Sequence, residues 1–306
     1  MILLAGLTPA WQQTLVFDAF TPGQVNRARE VYWNASGKVL NAAAAVRWLG
    51  GDGLAVAPVG GPAVAAFDHE LDALGIRRRW IATEASTRVC TTILDRSRGT
   101  MTELVENGRP LAPAELEAYL AAYAEEAAKA DVAVISGSLP AGTSDGYYRE
   151  LVRRTPCPVV LDFRGPGLLG VLDLEPLVVK PNRQELAETL GRPLETDEEL
   201  RAAMRELNRR GAQWVVVTQG SGPVWLSSAS KLHRFQPPAI ADVVNPLGSG
   251  DALAATVAWA VHEGRDVPEA VPLAIAAAAD NLRHLLPCRF DRDAVFRMAE
   301  QVRALP

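Results

Sequence analysis

Short apolar runs alternate with longer stretches of helical period along most of the chain. The runs are almost uniformly aliphatic, which is typical of strands covered on both faces. They predict strands at Ile2–Ala5, Leu54–Val59, Val132–Ser136, Val159–Asp162, Leu177–Lys180 and Trp214–Thr218. Helices are predicted at Leu40–Leu49, Ala63–Leu74, Ala114–Lys129, Asp145–Arg153, Arg183–Leu190, Glu198–Arg210, Asp251–His262, Pro268–His284 and Asp291–Ala304. This alternation predicts an α/β fold with a parallel, doubly wound sheet.

Two segments interrupt this rhythm. Thr14–Asn34 reads as extended chain, and Val89–Glu106 reads as a hairpin that turns at Arg96–Gly99. We expect them to pair into a small sheet over one edge of the core, a lid covering approximately residues 12–35 and 88–107; two ordinary edge hairpins are the alternative. With no repeat or clear linker, residues 1–306 are expected to form one domain with this lid.

Composition narrows the function classes. The chain has 306 residues, 48% of them hydrophobic, which is enough for a large core, and its net charge of -5 does not suit a duplex nucleic-acid binder. The densest basic run, Arg77–Arg79, is interpreted as a solvated turn. Three widely spaced cysteines argue against a disulfide framework or zinc site and favour the cytoplasm. The apolar N-terminus is expected to be a first strand rather than a signal peptide, and no apolar run is long enough for a membrane helix.

The strongest candidate site is Gly248-Ser249-Gly250-Asp251, which opens a long apolar helical segment. Glycines permit close approach of a ligand to the backbone, and the free amides of a helix N-terminus attract phosphate. An aspartate at this position could accept a proton from an attacking hydroxyl. The alternative is that Asp251 merely caps the helix.

A second candidate site is Lys180-Pro181-Asn182 with Glu185, at the end of a buried strand and the start of a helix. The carboxyl ends of strands are where open α/β sheets bind ligands. Mg²⁺ keeps several waters and needs few carboxylates, so Asn182 and Glu185 could serve it. The alternative is an asparagine cap with its capping-box glutamate.

Two further motifs are weaker. Gly37, Lys38 and Asn41 precede or begin a helix and could bind an anion and hydroxyls, although the segment is not a Walker A loop. Arg27 and Arg88 lie in the two lid segments and suit phosphate binding. The turn Thr218-Gln219-Gly220-Ser221-Gly222 could pass under a nucleotide or be a simple β-turn.

Taken in order, these motifs resemble the PfkB (ribokinase-like) carbohydrate kinase family, and within it the branch of 1-phosphofructokinase and tagatose-6-phosphate kinase. The resemblance covers nearly the whole chain. It rests on Thr8-Pro9-Ala10, Val25-Asn26-Arg27, Gly37-Lys38 with Asn41, Val59-Gly60-Gly61, Thr87-Arg88, Ser136-Gly137-Ser138-Leu139-Pro140, Lys180-Pro181-Asn182 with Glu185-Leu186, and Asn245-Pro246 with Gly248-Ser249-Gly250-Asp251.

The resemblance implies a ribokinase-like fold with a β lid and ATP-dependent phosphorylation of a hydroxyl on a phosphorylated ketohexose. It implies Asp251 as the catalytic base and an anion hole from the amides of Gly248, Ser249 and Gly250. Other implied roles are Mg²⁺ organised through water by Asn182 and Glu185, sugar phosphate held by Arg27, Lys38 and Arg88, sugar contacts from Gln12, Gly37 and Asn41, and nucleotide contacts from Lys180, Asn182, Thr218, Gly220, Gly222, Gly248 and Gly250.

Three departures from the family pattern concern the substrate. Gln12 stands where the family has an aspartate that binds substrate, Val39 where it has a glycine, and Phe163-Arg164 where it has small hydroxyl residues. Two other functions stay open. One is a kinase of an unphosphorylated sugar or nucleoside, which the cations Arg27, Lys38 and Arg88 argue against. The other is a non-catalytic regulatory protein that binds a sugar phosphate, which the departures at Gln12 and Val39 keep open and Asp251 argues against. Lids of this kind sometimes pair between subunits, so a homodimer is a further expectation.

Overall fold

The computed structural model describes residues 1–306, with fourteen strands and ten α-helices. The strands are β1 (Ile2–Ala5), β2 (Ala10–Phe17), β3 (Glu30–Ser36), β4 (Gly53–Val59), β5 (Arg77–Ala82), β6 (Arg88–Asp95), β7 (Thr100–Val105), β8 (Val132–Ser136), β9 (Val159–Asp162), β10 (Val178–Val179), β11 (Trp214–Val217), β12 (Val224–Ser227), β13 (Leu232–Gln236) and β14 (Arg303–Leu305). The helices are α1 (Lys38–Trp48), α2 (Val64–Leu74), α3 (Pro113–Ala127), α4 (Gly146–Arg153), α5 (Pro166–Leu169), α6 (Arg183–Leu190), α7 (Asp197–Arg209), α8 (Ser249–His262), α9 (Val267–Asn281) and α10 (Arg292–Ala299).

The main sheet has ten strands in the order β14-β13-β12-β11-β10-β9-β8-β1-β4-β5. The strands from β11 to β5 run parallel, and β12, β13 and β14 add an antiparallel edge. Side chains of β1 show why both faces are covered: Ile2 and Leu4 belong to one buried cluster, Leu3 and Ala5 to the other. The predicted parallel α/β sheet is therefore confirmed.

A second, four-stranded sheet has the order β3-β2-β6-β7. The two segments that interrupt the sequence rhythm thus pair with each other, because β2 runs parallel to β6 with Ala10 opposite Arg88. The hairpin turns at Arg96–Gly99, as predicted. Trp11 stacks on Trp33 within this sheet and meets Phe67 of α2 edge-on, so these rings connect the small sheet to the core.

Parts of the architecture differ from the sequence predictions. Arg77–Arg79 is not a solvated turn but the start of edge strand β5, where Arg78 pairs with Asp68 and Asp72 of the preceding helix. The last predicted helix ends at Ala299 rather than Ala304, because Arg303–Leu305 pairs with β13 as a short strand. None of the helices is long and apolar enough to span a membrane.

Candidate active site

A cavity of about 840 Å³ opens between the small sheet and the carboxyl ends of the central strands. Most residues singled out from the sequence line it, although they come from distant segments. These are Gln12, Gly37, Lys38, Asn41, Arg88, Lys180, Asn182, Glu185, Thr218, Gly220, Gly248, Gly250 and Asp251. We call this space the main cavity.

Three predicted residues lie elsewhere. Arg27 is exposed in the connection between β2 and β3 and does not line the main cavity. Gly222 also lies outside it, and the side chain of Ser249 bonds to the carbonyl of Pro246 rather than facing it. The motif Val25-Asn26-Arg27 indicates the residue type, but nothing local to a long connection fixes where the side chain of Arg27 goes.

The loop before α8 presents free backbone amides. Gly248 has φ +83°, and a Cβ there would lie 2.7 Å from the Pro287 side chain, so this turn requires glycine. The amide of Ser249 bonds to the carbonyl of Pro246 at 3.3 Å, whereas those of Gly248, Gly250 and Asp251 have no acceptor. The amides free to bind an anion here are therefore those of Gly248, Gly250 and Asp251, whereas the amide of Ser249 is already bonded.

Asp251, in the first turn of α8, is buried at the floor of the main cavity. Its Oδ2 accepts a 2.7 Å hydrogen bond from Nδ2 of Asn41. The other amide atom of Asn41, Oδ1, accepts a hydrogen bond from the hydroxyl of Ser36. Burial, together with the negative charge of Asp162, raises the pKa of Asp251 to about 6, although Lys38 opposes the shift. This side chain is ionised at neutral pH and remains basic enough to accept a proton.

A buried ion-pair cluster lies beside Asp251. Oδ1 of Asp162, at the end of β9, contacts Nζ of Lys38 at 3.0 Å and Nζ of Lys180 at 3.1 Å. Lys180 also approaches the helix start, since a Cβ on Gly250 would lie 3.4 Å from its Nζ. The predicted anion-binding lysine, Lys38, is thus already paired with a carboxylate of the protein.

Asn182 and Glu185 form the capping box that the sequence left as an alternative. The amide of Glu185 donates to Oδ1 of Asn182, and the amide of Asn182 donates to Oε2 of Glu185. The second carboxylate oxygen of Glu185 stays available, and the residue lines the main cavity. No group of three acidic, histidine or cysteine side chains is close enough to cage a metal. This sparse donor set fits Mg²⁺ held through water and phosphate.

Arg88 is tied to the backbone at the base of the small sheet. Its guanidinium donates to the carbonyls of Thr8 at 2.8 Å and Glu106 at 3.0 Å, and more weakly to that of Pro9. These bonds join β6 to the end of β7 and to the segment before β2. Arg88 therefore brings a fixed positive charge to the wall of the main cavity.

Gln12 on β2 is buried and lines the same wall. Its Nε2 donates to Oγ1 of Thr92 on the neighbouring strand at 2.9 Å. The cross-strand register places Gln12, Cys90 and Val105 on one face of the small sheet. With the amide nitrogen engaged, the carbonyl oxygen is the group that Gln12 can offer to a ligand.

A second cavity of about 660 Å³ adjoins the main one and shares Thr218, Gly220 and Gly250 with it. Its walls are largely apolar and come mainly from the loop before α8, from α8 itself and from α9. They include Ile240, Val243, Leu253, Ile275, Ala278 and Leu282. No sequence motif pointed to these side chains, because they are ordinary apolar residues brought together by folding.

Comparison with known proteins gives the family. The model of the pfkB family carbohydrate kinases matches residues 11–286 of this chain. The chain belongs to the PfkB family of carbohydrate kinases. It is therefore a phosphotransferase with an alcohol group as acceptor, and family membership implies ATP as the phosphoryl donor.

Solved structures of similar fold support the architecture. Phosphofructokinase-2 from Escherichia coli, in its tetrameric inhibited form, is 22% identical with a TM-score of 0.89, covering 98% of each chain. A possible 1-phosphofructokinase from Thermotoga maritima is 23% identical with a TM-score of 0.91, covering 100% of this chain and 99% of that one. A ribokinase from Arabidopsis thaliana, complexed with ribose and ATP, is 21% identical with a TM-score of 0.76, covering 97% and 98%. The ribokinase-like fold is confirmed.

Two residues that the motifs did not indicate also line the main cavity. Glu103 of β7 brings a carboxylate from the small sheet, and Arg183 of α6 brings a guanidinium held by Gln219 and the carbonyl of Leu194. The alternation of β7 could have indicated Glu103, since it shares a face with Thr92 opposite it. Arg183 directly follows Asn182 at the start of α6, and this position could have indicated that it lies at the site.

Proposed function

We propose that this PfkB kinase transfers the γ-phosphoryl group of ATP to a hydroxyl of a phosphorylated ketohexose, of the tagatose 6-phosphate or fructose 1-phosphate type, to give a bisphosphate. The observation that carries the proposal is the position of Asp251. This buried carboxylate lies beside free amides of a helix start, where the two cavities meet. A base and an anion site are thereby adjacent, as phosphoryl transfer requires.

The second cavity supports the nucleotide assignment. Its apolar walls between the loop before α8 and α9 suit a flat heteroaromatic base. Its shared residues, Thr218, Gly220 and Gly250, lead from this cleft into the main cavity. A nucleotide bound there would direct its terminal phosphate toward the start of α8.

The residues suggest a direct sequence of events. The acceptor hydroxyl gives its proton to Asp251 while its oxygen forms a bond to the γ-phosphorus, and the bond to the β–γ bridging oxygen breaks to release ADP. The amides of Gly248 and Gly250 stabilise charge on the moving group. Asn41 holds one oxygen of Asp251 and leaves the other for the hydroxyl. Mg²⁺ would supply charge neutralisation on the phosphates, with Glu185 as the residue that holds it through water.

The phosphate on the sugar would be bound near Arg88. Its guanidinium is the cation on the small-sheet wall of the main cavity, and Lys38 lies on the opposite, core side. Phosphofructokinase-2 from Escherichia coli has been determined in complex with fructose-6-phosphate. That likeness favours a sugar phosphate as the acceptor.

Three observations favour a second substrate class. Lys38 is paired with Asp162, Arg27 lies outside the cavity, and Glu103 adds a negative charge to it. A cavity with this balance also suits an unphosphorylated sugar or nucleoside, whose hydroxyls can bond to carboxylates. The non-catalytic regulatory alternative is disfavoured, since Asp251 and its surroundings are intact.

The experiment that tests the proposal measures ATP consumption with a panel of ketose phosphates, aldose phosphates, free sugars and nucleosides. We expect turnover on ketohexose phosphates to exceed that on their free sugars. A higher kcat/KM on a free sugar or nucleoside would replace the proposed substrate with the second class. Absence of ATP consumption on every acceptor would contradict the catalytic proposal.

We also propose that the small sheet acts as a lid and that two copies pair through it. One face of the sheet carries the exposed apolar side chains Val31, Trp33 and Leu104. Exposed patches of this kind mark association surfaces. Light scattering should report a dimer for the native chain and a monomer for Trp33→Lys; a monomeric native chain would contradict the pairing.

A further inference from the structure

Asp162 is a buried acid with no role assigned so far. Its side chain is 2% exposed and lies at the carboxyl end of β9, under the main cavity. A single oxygen, Oδ1, contacts the ammonium groups of Lys38 and Lys180 at 3.0 and 3.1 Å. The two lysines come from the start of α1 and from the residue after β10, so only the fold brings them together.

We propose that Asp162 is a positioning residue for phosphoryl transfer, holding the Lys38 and Lys180 ammonium groups at the point where the transferred group moves. The inference rests on the proposed kinase function. Lys180 lies against Gly250 of the anion site, and both lysines line the main cavity. Two positive charges tied to one oxygen stay within two hydrogen-bond lengths of each other, and so form a preorganised electrostatic site.

Fold stability is a poor explanation for this cluster. A buried ion pair seldom stabilises more than apolar residues of the same size, because desolvation offsets the attraction. Here the other carboxylate oxygen, Oδ2 of Asp162, is buried without a hydrogen-bond partner, as is Oγ of Ser136 on the adjacent strand. Unsatisfied buried polar atoms cost stability, which favours a role in function.

The charges around the cluster support the same role. Burial lowers the pKa of Lys38, but Asp162 and Asp251 outweigh it and hold that pKa well above its usual value. Lys38 and Lys180 likewise hold the pKa of Asp162 below its usual value despite burial. Lys38 therefore stays charged and the carboxylate of Asp162 stays ionised, which keeps this ion pair in place.

The first test separates kcat from KM in Asp162→Asn. We expect kcat to fall about 10- to 1,000-fold, with KM for ATP and for the acceptor changed less than about threefold. A matched control is Glu206→Gln, which removes another carboxylate held between two cations, Arg192 and Arg210, on the outer helix α7. The control should keep the native kcat. An Asp162→Asn enzyme with native kcat, or one that loses only binding, would overturn the inference.

A second readout does not depend on activity. Acylating reagents attack only neutral amines, and Lys38 is one-third exposed. Acetylation measured by peptide mass spectrometry should be slow at Lys38 in the native protein and several-fold faster in Asp162→Asn, relative to the exposed Lys231. Equal reactivity in both proteins would show that Asp162 does not hold this lysine.

Folding and function can be told apart in these experiments. Thermal unfolding of each variant checks that it is folded. If Asp162→Asn does not fold, Asp162→Glu takes its place in the kinetic test. That variant keeps the buried charge but moves it by one methylene, so kcat should still fall while KM holds; native kcat would count against positioning. If the native chain phosphorylates no acceptor, the proposed function fails, yet the acetylation of Lys38 still reports on its contact with Asp162.

Discussion

Nδ2 of Asn41 donates a 2.7 Å hydrogen bond to Oδ2 of Asp251, although the two residues lie 210 positions apart. Asn41 is in α1 and Asp251 in the first turn of α8, and these two helices pack side by side under the main cavity. The bond fixes the orientation of the carboxylate before any substrate arrives. Preorganisation of this kind suits the general base that we propose Asp251 to be.

Removal of the proposed base, Asp251, should abolish most turnover. Asp251→Asn keeps the size of the side chain but cannot accept the proton of the hydroxyl, so kcat should fall about 10²- to 10⁴-fold. Binding of ATP, measured by calorimetry, should change little, because Asp251 does not line the second cavity, where we propose that the nucleotide binds. Near-native kcat on the best acceptor would show that Asp251 is not the catalytic base.

Activity should depend on pH through the same carboxyl group. Because burial raises its pKa to about 6, Asp251 is protonated and inactive below that pH and becomes competent above it. The plot of log kcat/KM against pH should therefore bend near pH 6 and level off at higher pH.

Asn41→Ala provides a signed check on this assignment. The amide stabilises the ionised form of Asp251 and lowers its pKa, so its loss should move the bend to higher pH. Asp162→Asn should move the bend the other way, because the negative charge of Asp162 raises that pKa. If the two variants shifted the profile in the same direction, another group would be titrating.

Arg88 should select phosphorylated acceptors and also support the small sheet. Arg88→Ala removes a cation from the cavity wall and releases the carbonyls of Thr8 and Glu106. Loss of a charge-assisted contact should weaken binding of the sugar phosphate by about 1.5–3 kcal/mol. The check compares KM for a ketose phosphate and for its free sugar. Equal losses on both would mean that Arg88 has only a structural role.

The strands of the parallel sheet could be predicted from the sequence for a physical reason. Strands such as β8 are buried on both faces, so their residues are uniformly apolar and distinct from the amphipathic helices around them. Edge strands lack this signal: β5 begins with three arginines, each neutralised by acids on neighbouring elements, and looked like a turn. The short β14 exists only because β13 offers it a partner.

The site was only partly readable for a related reason. The glycines and Asp251 could be predicted from a local motif, because a tight turn before a helix needs particular residues at consecutive positions. The ion pair between Lys38 and Asp162 joins positions 124 residues apart, and the local sequence around neither residue predicts it. The second cavity, where we propose that the nucleotide binds, is assembled from apolar residues such as Ile240 and Ile275, which are of the same types as residues in any core.

Gln12 should set the sugar preference. Its amide nitrogen is bonded to Thr92, which leaves one carbonyl acceptor, whereas an aspartate could accept bonds from two sugar hydroxyls. Gln12→Asp should therefore change the order of kcat/KM across a panel of ketose and aldose phosphates, toward fructose 1-phosphate or tagatose 6-phosphate. An unchanged order would show that residue 12 does not contact the substrate.

Closure of the small sheet should bury a cleft beside the active site. A cavity of about 340 Å³ separates Val16, Leu94 and Met101 of this sheet from Val243 and Val244 in the loop before α8. Val244 is 44% exposed, and exposure of an apolar side chain to water costs free energy. Closure of the small sheet would remove this cost by burying Val244. Closure would also exclude water, which competes with the sugar hydroxyl for the phosphoryl group.

Amide hydrogen exchange measures this closure directly. Exchange in Thr14–Asn34 and Val89–Glu106 should slow when a sugar phosphate that is turned over binds, and slow less with ATP alone. Val244→Ser should weaken this protection and raise KM for the sugar phosphate, because the closed form loses its apolar contact. The matched control is Val25→Ser, at a valine that is 84% exposed and lines none of the cavities described. Unchanged exchange with a productive substrate, or equal effects of the two substitutions, would mean that the small sheet does not close over the site.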